Sequence, residues 1–463
     1  MANDLARWQF ATTTIYHFFF VPVTIGLAFL VAILQTAWYR TEDPEYKRMT
    51  RFFGTLLLIN VAIGVVTGLV QEFQFGMNWS TYSRYVGGVF GAPLAMEGLA
   101  AFFLESTFLG LWLFGWDRLP KRVHLACIWA VSIGSMLSAM FILIANSWMQ
   151  HPVGYKLVNG KAQLDNVWAL FVNPTFVWGY AHVLLASLVT GCLVMLAVSA
   201  WYLRKREHVE SFERTAKVAL VVLIPTIVIQ LSVGNQLGEI ETRYQPAKIA
   251  AAEAQWNSCQ PCSFSAAQLG GYNQTNQTTN KIILIPHLLS VLATGTWSGP
   301  VTGLNQLQAQ DQKKYGPGNY IPNVAIQYWS MRTMAGLGAL VMLFALWGGW
   351  LLYKGRLHSS RVFLWLSVWA VLTPFLMNTA GWLLTESGRQ PWIVQGLQKT
   401  VNANSPSVSA TEIWISLSVF VLSYIVLAAA DLGLMLRYSR RGLAHADAEA
   451  AAAPAGSVPA LTY

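Results

Sequence analysis

The chain has 463 residues, of which 54% are hydrophobic and only 11% charged, whereas roughly a quarter of an average soluble domain is charged. That balance excludes a soluble globular domain and describes an integral membrane protein. The formal charge of +9 comes from basic residues gathered at the ends of apolar segments, so it gives no support to nucleic-acid binding.

Apolar windows of about 20 residues, the length that crosses a hydrocarbon core, predict an all-α protein. Nine transmembrane helices are expected: Thr12–Trp38, Phe52–Glu72, Pro93–Trp116, Leu125–Trp148, Phe176–Leu203, Val218–Leu237, Ala325–Tyr353, Val362–Thr385 and Glu412–Tyr438. The first run exceeds a signal-peptide core and is followed by Arg40, Lys47, Arg48 and Arg51 without a small-residue cleavage pattern, so it is expected to remain as a helix. Assigning loops to alternate sides puts 18 Lys and Arg on one side against six in the short segments of the other. Basic loops resist translocation, which predicts an outside N-terminus and an inside C-terminus. The chain then divides into residues 1–237 (helices one to six), 238–324 (a long outer loop), 325–438 (helices seven to nine) and 439–463, an Ala- and Pro-rich tail expected to be disordered on the inner side.

The chemistry is concentrated in the residues that membranes disfavour. Of eight histidines, only His17 and His182 lie within apolar helices. Glu97, Glu105 and Glu386 are further ionisable residues there, each costing about 2.5–3.5 kcal/mol or more at the bilayer centre unless partnered. Counting along each helix places His17, Glu97, His182, Arg332, Met334 and Glu386 in one layer of the outer half. Singly they have ordinary readings: a hydrogen-bonded histidine, a packing methionine, a helix-end ion pair between Glu386 and Arg389. Gathered at one depth, they suggest haem ligation. His with Met is a low-spin axial pair, a single His or carboxylate leaves a sixth position open, and arginines suit propionates. Glu105, two turns along from Glu97, would form with it a polar seam, extended by Ser132, Ser135, Ser138 and Asn146; helix-to-helix glue is the ordinary reading of the serines.

Cys127 and Cys192 are expected to be inert within the membrane. Cys259 and Cys262 in "SCQPCS" favour a disulfide or a bridge to a partner over free thiols, and no second Cys or His pair supports zinc. A secondary transporter is the rival from another class, though no repeat halves or matched broken helices are evident.

The segments "TIYHFFFVP", "EFQFGMNWS", "FGAPLAMEGLAAFFLEST", "ILIANSWMQHP" and "GWLLTESGRQPW" closely resemble subunit I of cytochrome bd-type quinol oxidases, and the resemblance runs from about Arg7 to Arg437. It implies a terminal oxidase of the bacterial cytoplasmic membrane. Such an enzyme reduces O2 to water with electrons from membrane quinol and separates charge without pumping. The implied cofactors are two b-type haems, one low-spin and one high-spin, and one d-type haem. The resemblance makes His182 and Met334 the low-spin axial ligands with Arg332 beside them, and His17 and Glu386 axial ligands in the high-spin pair, in an unassigned order. Glu97 lies in the same pocket as a further ligand or proton donor, flanked by Trp382 and Arg389. "RYQPAKIAAAEAQW" is similar to the family's quinol loop in a short form, with Lys248 and Glu253 at its functional positions and Gln245 matching more weakly. Without the resemblance, Lys248 and Glu253 read as solvated residues of a short amphipathic helix. The implied partners are subunit II and small single-helix subunits. A bd-like, cyanide-insensitive oxidase with b haem in place of d haem is the near alternative.

Overall fold

The computed structural model describes residues 1–443. Nine helical spans are long and apolar enough to cross a membrane among the described residues, one for each expected helix, and the protein is a multi-pass membrane protein. Most spans run several residues beyond the apolar windows, because helix ends are set by caps and not by hydropathy.

In chain order, α1 (Ala2–His17) and α2 (Phe20–Thr41) form the first span, offset at Phe18–Phe19. Helix α3 (Pro44–Met77) starts where Asp43 accepts a hydrogen bond from the Glu45 N–H at 2.9 Å, with Pro44 in the first turn. The third span is α4 (Ser80–Met96), a π-helical segment (Glu97–Phe102) and α5 (Phe103–Phe114), followed by α6 (Lys121–Gln150). A hairpin of β1 (Tyr155–Val158) and β2 (Lys161–Leu164) and the short α7 (Val167–Phe171) lead to α8 (Pro174–Lys205), whose Asn173 cap and Pro174 repeat the start of α3. Helix α9 (Val209–Tyr244) outlasts its expected end, so the long loop begins at residue 245 and not at 238.

The loop holds α10 (Pro246–Ala252), an antiparallel hairpin of β3 (Phe264–Gly270) and β4 (Thr279–Ile285), α11 (Leu288–Thr294) and α12 (Leu304–Tyr315). Cys259 and Cys262 form a disulfide within it, while Cys127 and Cys192 are free and buried. Helix α13 (Val324–Tyr353) follows, then α14 (Arg361–Ala370) and α15 (Leu372–Gly388), which share one span broken at Val371. A small hairpin, β5 (Trp392–Val394) with β6 (Gln398–Lys399), precedes α16 (Ala410–Arg440), opened by a Ser409–Glu412 capping box. Ser439 and Arg440 are thus helical and Leu443 is buried, which moves the start of the expected tail; residues 444–463 lie outside the described region.

Helix ends sort into two layers. At the basic end, Lys121 meets Glu42, Arg214 meets Asp43, and His358 meets Glu213. At the loop end, Asn3 donates to the Thr400 carbonyl and Gln395 N–H to the Met149 carbonyl. The largest core fills the basic half with Leu27, Leu30, Phe53, Ile128, Leu193 and Leu220, all fully buried. Helices α2 and α8 cross closely there: a Cβ on Gly26 would lie 2.3 Å from the Ser187 carbonyl oxygen, and one on Gly191 2.6 Å from the Gly26 Cα. A second, smaller core surrounds Trp148 and Tyr82 near the loop end.

Candidate functional site

The unusual charge at the end of the eighth span has partners. Glu386 and Arg389, one turn apart on and just beyond α15, form an ion pair, and Asn146 of α6 donates to the other Glu386 oxygen at 2.8 Å. Gln150, one turn further along α6, donates to Asn146 at 2.8 Å. Its own side-chain oxygen accepts from the Lys248 ammonium at 2.8 Å, and Lys248 also pairs with Glu241 at 2.5 Å. The Gln245 amide donates to the Gln150 carbonyl at 2.8 Å, leaving its own side-chain oxygen buried without a partner. A continuous chain of polar contacts therefore joins loop residues Gln245 and Lys248 to Glu386. Neither Gln150 nor Glu241 stands out in the sequence: Gln150 ends an apolar helix, and Glu241 looks like ordinary helix-end charge.

Lys248 and Glu253 are 3% and 5% exposed, which overturns the solvated reading of α10. The helix packs between α13 and α12, with Ala250, Ala251 and Trp256 in one buried cluster with Leu304 and Tyr328. Burial pushes the Lys248 pKa down, opposed by Glu241. Burial likewise pushes the Glu253 carboxyl up, opposed by Arg332. Arg332, eight residues into α13, gives its fork to both Glu253 oxygens at 3.0 and 2.7 Å and also reaches the Ser265 carbonyl at 2.6 Å. A bidentate pair of this kind is specific as well as strong. The structure thus places Arg332 on the loop carboxylate, with only its Nε buried and unpartnered.

His17 Nδ1 lies 3.0 Å from the Thr67 hydroxyl of α3. His182 of α8 meets Gln230 of α9, whose amide nitrogen is 3.2 and 3.3 Å from the two ring nitrogens. Thr67 and Gln230 are polar positions inside apolar runs, a signal available in the sequence but too common to single them out. Trp382 packs edge-on against Phe18 at 5.0 Å, one turn before Glu386, and so brings the His17 end of α1 beside α15.

Three of the four candidate ligands face glycine. A Cβ on Gly68 would stand 3.1 Å from the His17 ring, one on Gly234 3.3 Å from the His182 ring, and one on Gly381 3.3 Å from the Met334 sulfur. Among the described residues, no three His, Cys, Asp or Glu side chains converge in a way that could hold a bare metal ion. The donors instead come one per helix, which suits a macrocycle whose iron takes few protein ligands. Arg389, 3% exposed, keeps Nε and Nη1 buried without partners, which suits a carboxylate of a bound group. On these observations the residues fit haem.

Glu97 begins the π-helical segment, one turn after Pro93, whose missing N–H relaxes the helix there. The Ser138 hydroxyl donates to Glu97 at 2.9 Å, so this serine meets the carboxylate as the expected seam requires. Asn146 instead contacts Glu386, and Ser135 donates to the Ser132 carbonyl at 3.0 Å. Glu105 lies past the π-helical turn, so the regular-helix offset from Glu97 expected from sequence does not apply; its backbone crosses Gly134 of α6, with N 3.1 Å from where a Cβ would stand. The sequence reading passed over Asp431 in α16, whose Oδ1 is buried without a partner. Tyr424 of the same helix stacks on Tyr16 at 4.5 Å.

Comparison with known proteins gives consistent matches. The family model for cytochrome bd terminal oxidase subunit I matches residues 5–443. Cytochrome bd ubiquinol oxidase subunit 1 of Bacillus subtilis (strain 168) is 44% identical over 95% of this chain and 94% of its own length. Cytochrome bd-II ubiquinol oxidase subunit 1 of Escherichia coli (strain K12) is 36% identical over 95% and 96%. Among solved structures, bd oxidase from Geobacillus thermodenitrificans superposes with a TM-score of 0.86 at 30% identity, covering 95% of this chain and 99% of that one.

Proposed function

From the premise that this chain belongs to the cytochrome bd terminal oxidase subunit I family, and is therefore a quinol oxidase subunit, we propose that it carries two b-type haems and one d-type haem and works with a subunit II, and with small single-helix subunits, in the bacterial cytoplasmic membrane. Family membership removes the transporter reading. The observation that carries the proposal is the set of single donors on separate helices, three of them backed by glycine, beside a buried arginine with unpartnered N–H groups.

In this reading His182 and Met334 would hold the low-spin haem, and His17 and Glu386 would hold the high-spin pair. Haem iron, when bound, supplies the electron transfer from quinol to O2 and the reduction of O2 to water. Arg389 balances the Glu386 carboxylate and offers its free N–H groups to a propionate. Trp382 packs against Phe18 and closes the wall between α1 and α15.

The loop end of the bundle faces outward, with the N-terminus outside and the C-terminus inside. Quinol binds at the loop, where the unpartnered Gln245 oxygen accepts a hydroxyl, Lys248 steadies developing negative charge and Glu253 accepts a proton. Those protons leave to the outside. The protons consumed in forming water come from inside, through Glu105 and then Glu97, which Ser138 holds by a hydrogen bond. Charge is separated without a pump. The discriminating experiment is a reduced-minus-oxidised spectrum of the purified complex. A far-red d-type band beside b-type bands is expected, and a colourless complex would overturn the haem assignment.

A further inference from the structure

We propose that the lower half of β4, Ile282–Ile285, is a lipid-contacting wedge that seats the base of the β3–β4 hairpin in the interfacial layer of the bilayer. The sequence feature behind this is "KIILIP", which departs from the alternation that a half-buried strand shows. Ile282, Ile283, Leu284 and Ile285 are 58, 53, 48 and 42% exposed. Four consecutive exposed apolar residues put hydrocarbon on both faces of the strand. A protein partner would be expected to cover one face, whereas a fluid apolar phase wets both.

The polarity changes along the hairpin and not across it. Phe264 pairs with Ile285 at the base, and Gly270 pairs with Thr279 near the turn. The turn itself, "YNQTNQTTN", is polar, and Gln277 there bonds Asn305 at 3.1 Å. Two contacts fix which end is deeper. Gln268 N–H donates to the Tyr328 hydroxyl at 3.0 Å, while the Ser265 carbonyl accepts from Arg332, one helical turn further into α13. Phe264 also lies under the Arg332 guanidinium at 4.6 Å. The strand base therefore points down the span, and the polar turn points away from it.

Depth along α13 agrees. From Lys354, which marks the basic end, to Arg332 the helix rises about 33 Å, against a hydrocarbon core of about 30 Å. Arg332, and with it the base of the hairpin, stands at the far boundary of the core. Around that level Trp329 and Trp297 are 52% and 69% exposed, as aromatic residues at a membrane interface are. Lower on the same helix, Leu340, Leu343 and Leu346 are exposed as well, as lipid-facing residues of a span are. β4 is also an edge strand with unpaired backbone groups, which the hydrated interface tolerates and the hydrocarbon core does not. The wedge thus belongs at the boundary, beside the Arg332–Glu253 pair, and it stands whether or not that pair binds quinol.

Spin-label accessibility in the intact oxidase complex, reconstituted in phosphatidylcholine bilayers, tests this. The native free cysteines of this chain are buried and the other two are joined, so Ile283→Cys, Leu284→Cys and Asn276→Cys can each be labelled against the parent complex as background. Labels on both strand faces, at 283 and 284, are expected to collide several-fold more with O2 than with a water-soluble nickel chelate, and the label at 276 the reverse. Nickel access at 283 or 284 would place the strand in water, and low access to both reagents at either would place it under a protein partner; each result overturns the proposal. A variant that loses the parent's visible spectrum is replaced by a label at Ile282 or Ile285, read by the same criterion.

Discussion

The basic half and the loop half of the bundle are built on opposite terms. In the basic half, a continuous apolar core closes around helices that touch at Gly26 and Gly191, and the polar cluster around Gln35 is satisfied internally, although Trp201 Nε1 and Asp431 Oδ1 stay buried without partners. There Gln35 lies 2.8 Å from His124 and accepts from Trp112 at 2.6 Å, and His124 in turn lies 2.8 Å from the Trp112 carbonyl. In the loop half, Arg389, Arg332, Gln245 and Gln74 keep buried polar atoms without protein partners, and three prospective ligands face bare glycine backbone. Buried polar atoms left alone cost about 1–3 kcal/mol each. The difference teaches that one half is closed mainly by apolar packing, while the other leaves charged and amide groups open, as the proposed haem and quinol sites would need.

If so, the two halves should break differently. Gly26→Leu, which drives a side chain into the Ser187 carbonyl, should abolish the assembled complex altogether, seen as loss of both extracted protein and all haem absorption. Glu386→Ala should be far more selective, removing high-spin absorption while the low-spin signature and the folded chain persist; an unchanged spectrum with full O2 consumption would refute ligation. Met334→Leu should do the converse, disturbing the low-spin signature alone.

At the loop, the proposed quinol-binding role predicts a pH profile. Burial holds the Glu253 pKa above the usual carboxylate range. As the proposed proton acceptor it must be ionised, so kcat/KM for quinol should rise with pH through that raised pKa and fall below it. Glu253→Gln should flatten this limb and lower the rate by about 10²–10⁴-fold. The smallest effect belongs to the basic half. Gln35→Leu strands the Trp112 N–H and should cost about 1–3 kcal/mol, read as a lower thermal midpoint with an unaltered spectrum.

The spans were legible because each needs a long apolar run, and the Glu386–Arg389 pair because three residues is one helical turn. Helix starts were legible in principle at Asp43–Pro44 and Asn173–Pro174, but an apolar window ignores them. The contacts that build the loop half were not legible. Lys248 and Gln150 lie far apart in sequence, on a loop and a span that only the fold brings together. The seven residues of α10 are too few to carry a periodicity, so the burial of Lys248 and Glu253 could not be inferred from pattern. Arg332 met Glu253 by the same tertiary route. The π-helical turn at Glu97 left no mark in the hydropathy, because it changes backbone spacing and not residue type.

That turn has a consequence for how the third span can evolve. A π-helical turn holds one residue more than a regular turn, so removing a single residue between Glu97 and Phe102 would let the backbone close to a regular helix while the residues beyond it keep their facing. Trp112 would stay on Gln35 and His124 and Glu105 beside Gly134, whereas the same deletion between Glu105 and Trp112 would turn Trp112 away by about 100°. The π-helical turn is therefore a place where the length of this span can change by one residue without unseating Glu105 or the buried Trp112.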